Sequence, residues 1–497
     1  MIETPTAYWD VPSPATEIID RKRPGNTITV QLVTDMSSFA ALEGEWDTLV
    51  SDSSTTIFQT FAWQFLWWKH FGSRPENHLY IVLFRSSEKL IGIAPLFIKT
   101  LSLFHFRINR KLLLLGSGLA SPHSPVLSLE KQGPLDYLDI ISARGSEDLV
   151  ADAFIALLQN RNRLWDEVEF QNLREDGTVM THLLLKCKDR DFSIIMEHED
   201  TCPFVGLPDS LDKFLYSMKR SVRRNLRYVQ RGFLENPEYS VEDAAANGNA
   251  DGALQLLSQL HQKRWNEIGY PGLFADSRFG ALIKDISKSL KQNGRLWLKV
   301  LRHEGKAIAV NLCFKFNGTM YTYASGFDRD SAAAGTSGAG SALVFQNIID
   351  SIESRCSVID MGRGTESYKF QFTSNTRQSW RLRLKLSEES SAAIRAYVYR
   401  IYTLWNRALS RFTCEVTIAR VLIKGKGAVR GISGYISHLR VRLFAKMGSF
   451  SRSKPEGESR STGDDNSADD ERSSQKGSPH PKKGNGVEDA AETAGDK

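Results

Sequence analysis

The stretch LWLKVLRHEGKAIAVNLCFKFNGTMYTYASG, residues 296–326, determines the fold class of this chain. Apolar and polar residues alternate along three segments, which are separated by residues 303–306 and by the pair Asn317-Gly318. An Asn-Gly pair between two alternating segments is a strong signal of a β-hairpin. The stretch therefore predicts three consecutive antiparallel strands.

The residues that follow complete a recognisable order of elements. A glycine-rich turn (335–340) precedes an apolar-periodic helix (341–354), and a short strand (357–361) comes next. A weaker copy of this order begins with LYIVLFRSSEKLIGIAPLFI (79–98), which aligns with the three strands at an offset of 217 residues. The later elements of this first copy are predicted at 136–142 (strand), 147–160 (helix) and 167–173 (strand).

The repeated order predicts an α+β fold made of two tandem domains. Each domain is expected to have a mixed, mostly antiparallel sheet flanked by helices. Composition places the boundaries: the last 47 residues have almost no large apolar side chains and are expected to be disordered. The predicted segments are a flexible N-terminus (1–28), a first domain (29–195), a second domain (196–387), a basic helical extension (388–450) and a disordered tail (451–497).

Overall composition excludes several classes of protein. With 41% hydrophobic and 25% charged residues, the 497-residue chain is expected to be mostly folded. The five cysteines include no C-x-x-C pair, and the histidines form no metal-binding motif, so neither a disulfide framework nor a metal site is predicted. No apolar run reaches the length of a transmembrane helix. A cytoplasmic protein is the expectation.

The extension at 388–450 is strongly basic, with 11 Lys and Arg against 3 Asp and Glu. Apolar residues recur at helical spacing from Ile394 to Phe412, with arginines beside them, which indicates an amphipathic helix. Such a helix either packs on its own domain or docks to an anionic membrane. The second alternative predicts peripheral contact with the inner face of the cell membrane through residues 390–447.

The glycine-rich turn is the first candidate site. Glycines before a helix let an anion approach the unpaired N–H groups of the helix N-terminus, although a flexible connector would have the same composition. The first copy has Glu147 and Asp148 at this place, which would repel an anion. The candidate anion-binding residues of the second copy are Gly335, Gly338, Ala339, Gly340 and Ser341.

Two further segments concentrate reactive or charged side chains. IDMGRGTESYKFQF (359–372) combines acids, bases and a phenol around two glycines, which favours a site, with a salt-bridged turn as the alternative. KRSVRRNLRYVQRG (219–232) is predicted to be a helix with six cations and no acid, which favours phosphate binding, with a solvated face as the alternative.

These segments, together with FQTFAWQFLWWKHFG (58–72), IGIAPLF, LLLLGS and YASGFD, resemble the BioF-like or CelD-like acetyltransferases of the GNAT superfamily. Those are bacterial proteins with two GNAT-like halves that are often encoded with polysaccharide or cellulose biosynthesis functions, and they are distantly similar to FemAB-type peptidyltransferases. The resemblance covers roughly residues 30–385. Its most specific part is the pattern D-x-G-x-G-x-x-x-Y-K, here Asp360, Gly362, Gly364, Tyr368 and Lys369.

The resemblance implies acetyl-CoA or another acyl-CoA as the donor, with its pyrophosphate at the glycine-rich turn and no metal. The acceptor would be an amine or hydroxyl of a glycan, a nucleotide-sugar or a lipid-linked compound, and no DNA partner is expected. The candidate catalytic residues are Asp328 or Glu366 as general base, Tyr368 as acid and Asp360 as an orienting group, with backbone N–H groups of 322–326 for the acyl carbonyl. The candidate substrate-binding residues are Arg223, Arg227, Arg363 and Lys369.

Two other functions fit the same sequence. One is FemAB-type transfer from an aminoacyl-tRNA, in which the basic helix would bind RNA. The other is a non-catalytic pair of domains that acts as a scaffold for a glycan-synthesis complex.

Overall fold

The computed structural model describes residues 16–19, 28–103, 106–118, 126, 133–160, 164–188, 190, 192–328, 330 and 338–386. The predicted basic extension, the predicted tail and Gly335 lie outside these residues, as does most of the predicted N-terminal segment. Of the helices within the described ranges, none combines the length and the apolar composition that crossing a bilayer requires.

The first half of the chain alternates helices with short and medium strands. In chain order its elements are β1 (Thr16–Ile19), β2 (Ile28–Val33), α1 (Met36–Ala40), α2 (Glu43–Ser51), α3 (Phe61–Trp67), β3 (Asn77–Leu79), β4 (Ile81–Ser86), β5 (Lys89–Ala94), β6 (Leu96–Leu103), β7 (Phe106–Leu114), β8 (Ile141–Ser142), α4 (Glu147–Asn160), β9 (Glu167–Arg174), α5 (Leu184–Lys188) and β10 (Phe192–Gly206). Short 3₁₀ or π-helical segments lie at Ile57–Gln59, Trp68–Gly72 and Val179–Leu183.

The second half contains the predicted meander and the helices around it. Its elements are α6 (Leu211–Ser217), α7 (Arg220–Val229), β11 (Tyr239–Asp243), α8 (Ala250–Glu267), α9 (Ser277–Gln292), β12 (Leu296–His303), β13 (Lys306–Phe316), β14 (Thr319–Phe327), α10 (Gly338–Glu353), β15 (Val358–Asp360) and β16 (Thr376–Leu386). Short 3₁₀ or π-helical segments lie at Gln230–Leu234, Leu273–Ala275 and Lys369–Gln371. The three meander strands, α4 and β9 confirm the prediction, whereas α10 begins three residues earlier than predicted.

The internal repeat is confirmed at the level of single side chains. Arg85 Nη1 donates to the Glu88 carbonyl over 3.2 Å, and Arg302 Nη1 donates to the Gly305 carbonyl over 3.1 Å, at the same offset of 217 residues. The pairing register shifts immediately before each arginine, and the turn residues after it have positive φ in both copies. In the second copy, Arg302 Nε also donates a hydrogen bond of 2.9 Å to the Glu242 carboxylate.

The two repeats share one large sheet, which is mixed and mostly antiparallel. Its strand order is β11-β12-β13-β14-β15-β10-β16-β9-β7-β6-β3, and a smaller sheet has the order β1-β2-β4-β5-β8. The pairs β14/β15 and β7/β9 are parallel. Strand β10 pairs with β16 through Phe192–Pro203 and with β15 through Phe204–Gly206, so it passes continuously through the predicted boundary at 195/196.

The prediction of a long strand at 136–142 is wrong. Only Ile141–Ser142 are in a strand, which pairs with β5 in the smaller sheet. The strand equivalent to β14 is β7, since β7 pairs in parallel with β9 as β14 does with β15. The apolar residues Leu135, Tyr137, Leu138 and Ile140 misled the prediction because they are buried outside a sheet ladder.

The aromatic segment 58–72 lies in the core between the repeats, as expected for a buried helix. Trp63 contacts Phe314 of the second repeat with a ring-centroid distance of 5.4 Å, and Trp67 lies 5.4 Å from Phe97 of the first. Both tryptophans are fully buried. At about 1.5–3 kcal/mol for each large apolar side chain removed from water, this segment stabilises both repeats together.

Candidate active site

The candidate site begins where β14 and β15 separate. The two strands pair through Thr319–Tyr321 and Val358–Asp360 only, although β14 continues to Phe327. The remaining residues of β14 therefore pair with β13 on one edge and have no strand of the described chain on the other. Among the described residues, β14 and β15 are therefore unpaired beyond Tyr321 and Asp360, and this opening is called the gap below.

The orientation of the β14 amides follows from its pairing with β13. The amide of Asp328 donates to the Ile308 carbonyl over 2.8 Å. Because antiparallel pairing alternates along a strand, the amides of Ser325 and Phe327 are directed to the opposite edge, toward the gap. Ser325 lies within the range 322–326 in which the sequence predicted backbone donors, and Phe327 lies one residue beyond it.

Helix α10 starts beside the end of β14. A Cβ atom added to Gly340 would lie 3.8 Å from the Phe327 ring, which is ordinary contact distance, so Gly340 lies against Phe327 with room for a side chain. No acid is present in the first turn of α10, whereas α4, its counterpart, has Glu147 and Asp148 there. The predicted anion residues Gly338–Ser341 thus lie in the first turn of the helix, and Gly335 lies outside the described residues.

Gly338 has a packing role that its sequence context did not reveal. A Cβ atom at this position would lie 2.2 Å from Cζ of Phe233, in the short segment after α7. Val229 and Phe233 pack with Ala339 and Leu343 near the start of α10. Glycine is required at 338 because the Phe233 ring occupies the space of a side chain, independently of any ligand.

Asp360, at the end of β15, is buried and hydrogen-bonded to three donors. Its carboxylate accepts hydrogen bonds from Tyr137 OH (2.8 Å), Arg377 Nη1 (3.1 Å) and the Gly362 amide (2.9 Å). Burial raises the pKa of Asp360, and the donors oppose that change. With three donors on its carboxylate, Asp360 holds neighbouring groups in place, and its orienting role stays a prediction.

Arg363 and Lys369 make internal contacts, which favours a structural role over the predicted substrate-binding role. Arg363 forms an ion pair with Asp136 and donates to the Gly133 carbonyl over 3.1 Å. Lys369 is almost completely buried and donates to the carbonyl of Arg363 over 2.7 Å. The segment after β15 thus ties the second repeat to residues 133–137 of the first.

Glu366 and Tyr368 lie at the exposed side of this segment. The Glu366 carboxylate is 2.9 Å from Lys369 Nζ and its side chain is 55% exposed. The Tyr368 side chain is 39% exposed, and partial burial of its phenol, followed by the negative charge of Glu366, raises the pKa of Tyr368 to about 12, while Arg264 opposes this shift. Tyr368 therefore keeps its proton at neutral pH, as a general acid must.

Asp328, the alternative base, is held by two lysines. Lys263 Nζ lies 2.5 Å from Oδ1 and Lys306 Nζ lies 3.8 Å from Oδ2. The Lys263 hydrogen bond lowers the pKa of Asp328, so this carboxylate is a weaker proton acceptor than an unpaired one. The contacts of Glu366 and Asp328 favour Glu366 as the base.

The sequence did not single out Arg264. Helix α8 approaches β14 closely at Gly326, where a Cβ atom would lie 2.8 Å from the His261 amide nitrogen. This packing places the Arg264 guanidinium 4.7 Å from the centre of the Phe327 ring. In the sequence, Arg264 is one cation of a predicted helical segment like many others. Its proximity to β14 depends on tertiary packing, which no local pattern reveals.

Arg223 and Arg227 lie on α7, which packs along α10. Leu226 contacts the cluster around Phe345 and Ile348, and Val229 contacts the cluster at the start of α10. The C-terminal end of α7 is therefore nearest to the first turn of α10. Arg227 is exposed and Arg223 is half-buried with its guanidinium 5.7 Å from the Tyr216 ring.

No group of three or more His, Cys, Asp or Glu side chains in the described ranges could hold a metal ion.

No curated protein matches the sequence at a significant level. Among solved structures, similarity is found to FemX (11% identity, TM-score 0.47, 68% of this chain and 95% of that one). It is also found to L-PGS from Bacillus licheniformis (12%, 0.39, 72% and 96%) and to a tandem GNAT protein from the clavulanic acid biosynthesis pathway (10%, 0.35, 73% and 100%). At these scores the similarities carry no functional conclusion.

A family model provides the assignment. The model described as "Acetyltransferase (GNAT) domain" matches residues 220–370. This range includes the separated strands β14 and β15, the first turn of α10 and the segment with Glu366 and Tyr368. The resemblance to the GNAT superfamily is confirmed, and residues 220–370 match the GNAT acetyltransferase domain model.

Proposed function

We propose that this protein transfers an acetyl or other acyl group from acyl-CoA to an amine or hydroxyl of a glycan, a nucleotide-sugar or a lipid-linked acceptor in the cytoplasm. One observation supports the proposal most strongly: the acid-free first turn of α10 lies against Phe327, at the gap between β14 and β15. Amide donors suited to a diphosphate therefore lie at the end of β14, and the gap-facing Ser325 amide, suited to an acyl carbonyl, lies further back along the same strand.

The residues present fit acyl-CoA in both charge and space. The backbone N–H groups in the first turn of α10, Gly338–Ser341, would hold the diphosphate, since a helix N-terminus carries a partial positive charge. Gly340 leaves contact-distance room above Phe327, and Arg264 adds a positive charge at the same ring. The Ser325 amide would bind the acyl oxygen, and the Phe327 amide, two residues nearer to α10, would face the part of the cofactor between that oxygen and the diphosphate. Bound acyl-CoA supplies an activated thioester carbonyl.

The proton transfers are assigned to two side chains of the segment after β15. The Glu366 carboxylate would accept the proton of the acceptor amine or hydroxyl, directly or through water, as that group attacks the carbonyl carbon. Negative charge that develops on the carbonyl oxygen would be stabilised by the Ser325 amide. When the carbon–sulfur bond breaks, Tyr368 would donate its proton to the leaving thiolate.

The donor is tested by calorimetric titration of acetyl-CoA into the wild type, Gly340→Asp and Gly340→Ala. We expect Gly340→Ala to bind as the wild type does, because the added methyl group is tolerated. Gly340→Asp should bind at least tenfold more weakly, because a carboxylate would repel the diphosphate. Equal binding by the two variants would contradict the cradle, and absence of binding by the wild type would favour an aminoacyl-tRNA donor.

Catalysis is tested separately by release of free CoA over a panel of amino sugars and nucleotide-sugars. Glu366→Gln and Tyr368→Phe should both lower turnover, whereas Tyr270→Phe, a matched change of an exposed phenol on the 268–272 turn, should not. Turnover at background for the wild type across the panel, despite acetyl-CoA binding, would favour the scaffold alternative.

A further inference from the structure

The outer face of α7, with the residues just before and after it, carries a dense group of cations that the proposed reaction does not use. Between Asp212 and Glu235 the sequence contains no acidic residue. The group, called the basic ridge below, consists of Lys219, Arg220, Arg223, Arg224, Arg227 and Arg231.

Most of these side chains are directed away from the protein. Arg220, Arg224, Arg227 and Arg231 are exposed and recur at intervals of four, three and four residues, which places them on one side of the helix. At 1.5 Å per residue the stripe is about 16 Å long. The opposite side of α7 is closed, since Leu226 and Val229 are buried against α10.

The ridge lacks neutralising partners within the described part of the chain. Arg231 Nε donates to the Arg227 carbonyl over 3.3 Å, and Arg223 lies over Tyr216, but no ion pair to an acid involves any of the six cations. Like charges three or four residues apart on a helix repel each other. A bound polyanion would relieve this repulsion.

Two tyrosines complete the surface. Tyr216 is 82% exposed and adjoins Arg223, and Tyr228 is 70% exposed within the stripe. Tyrosine is enriched where a protein meets the bilayer–water interface, because its ring is apolar and its hydroxyl is polar. Cations on a convex helix match a planar anionic surface, whereas single-stranded nucleic acid is typically held in a positively charged groove.

We propose that the basic ridge, with Tyr216 and Tyr228, docks this protein to an anionic membrane surface. The surface is separate from the predicted membrane helix within 390–447, and the proposal does not depend on the identity of the acyl donor. Because the C-terminal end of α7 is beside the first turn of α10, docking would hold the candidate active site close to lipid headgroups.

The test is vesicle flotation of the full chain with phosphatidylcholine alone and with phosphatidylcholine mixed with phosphatidylglycerol. The wild type should bind the mixed vesicles selectively. Arg224→Glu/Arg227→Glu/Arg231→Glu should lower the partition coefficient at least tenfold. The control Lys284→Glu/Lys288→Glu/Lys291→Glu makes the same change of charge on the exposed side of α9 and should retain most of the binding.

A second measurement detects contact directly. Tyr228→Cys and Ser289→Cys, each in a Cys414→Ser background, are labelled with an environment-sensitive fluorophore; the four other cysteines are buried. Mixed vesicles should increase the emission of the label at 228 and leave the label at 289 unchanged. Three results would each overturn the proposal. The two triple variants could float equally well, or the emission of the label at 228 could stay unchanged with mixed vesicles. A short single-stranded RNA could also bind more tightly and displace the protein from the vesicles.

Discussion

Tyr137 of the first repeat donates a hydrogen bond of 2.8 Å to Asp360 of the second, and both side chains are buried. A second contact between the repeats lies beside this hydrogen bond, since Asp136, next to Tyr137, forms an ion pair with Arg363, three residues after Asp360. Removal of one partner of a buried polar pair leaves the other without compensation. The segment after β15 therefore fixes the second repeat to the first and, in doing so, positions Glu366 and Tyr368.

Tyr137→Phe is expected to lower the free energy of unfolding by about 1–3 kcal/mol, because Asp360 loses a buried donor. The change can be measured by urea denaturation. Tyr228→Phe removes a phenol hydroxyl from an exposed side chain and should stay within about 0.5 kcal/mol of the wild type. A loss for Tyr137→Phe no larger than for Tyr228→Phe would show that the hydrogen bond contributes nothing to stability.

Two glycines of the same helical turn should respond differently to alanine. Gly338→Ala places Cβ 2.2 Å from the Phe233 ring and should destabilise the protein by about 1–3 kcal/mol. Gly340→Ala meets only an ordinary contact with Phe327 and should be neutral or stabilising by up to about 1 kcal/mol. Thermal unfolding measures both. Since Phe233→Leu shortens the ring side chain, it should recover part of the loss in Gly338→Ala, and failure to do so would contradict this packing account.

His261 should make the protein sensitive to acid. Burial lowers the pKa of His261 to about 4 from an ordinary value of 6.5, so the unfolded chain takes up a proton in the window between these values while the folded chain does not. Stability from this group is present above pH 6.5 and is lost as pH falls toward 4. Between pH 7 and pH 5 the loss should be about 2 kcal/mol.

His261→Gln removes this titration and isolates its contribution. We expect the variant to be less stable than the wild type at pH 7 but to lose less stability on going to pH 5. Chemical denaturation at pH 7 and pH 5 gives the loss in free energy of unfolding for each protein, and the two losses are then compared. A variant with the same loss as the wild type would show that other groups cause the acid sensitivity.

Tyr368→Phe should lower kcat about a hundredfold if the phenol is the acid for the leaving thiolate. Since the pKa of Tyr368 is raised to about 12, its loss of a proton should not limit the rate of the wild type up to about pH 10. Turnover of the best acceptor measures the effect, with acetyl-CoA affinity as the control for folding of the site. An unchanged kcat would remove Tyr368 from the reaction.

The sequence predicted those parts of the fold that depend on local signals. Alternation and the Asn317-Gly318 turn predicted the meander, and apolar periodicity predicted α4. The strand β7 was missed because the prediction took the next apolar segment, 136–142, for the third strand. The contacts of Asp136 and Tyr137 with the segment after β15 could not be predicted, since the partners lie more than 200 residues apart and no local pattern links them.

In the candidate site, too, features with local sequence signals were predicted and features that depend on tertiary contacts were not. The helix N-terminus and the reactive segment 359–372 were predicted from residue types. Their individual roles were not predicted, because these depend on the internal ion pairs and hydrogen bonds that each carboxylate or guanidinium makes, and those partners are distant in sequence. Arg363 and Lys369 illustrate this, since their internal partners became visible only with the tertiary structure.

The continuous strand β10 has a consequence for how such a chain could be divided. One end of β10 completes the ladder of the second repeat at β15, and the other holds β16, which in turn pairs with β9 of the first repeat. A polypeptide with only one of the repeats would expose an unsatisfied row of backbone groups at that place. It could fold cleanly only by borrowing the missing strand from a second molecule, so fragments cut near residue 195 should be insoluble alone and should reassemble when produced together.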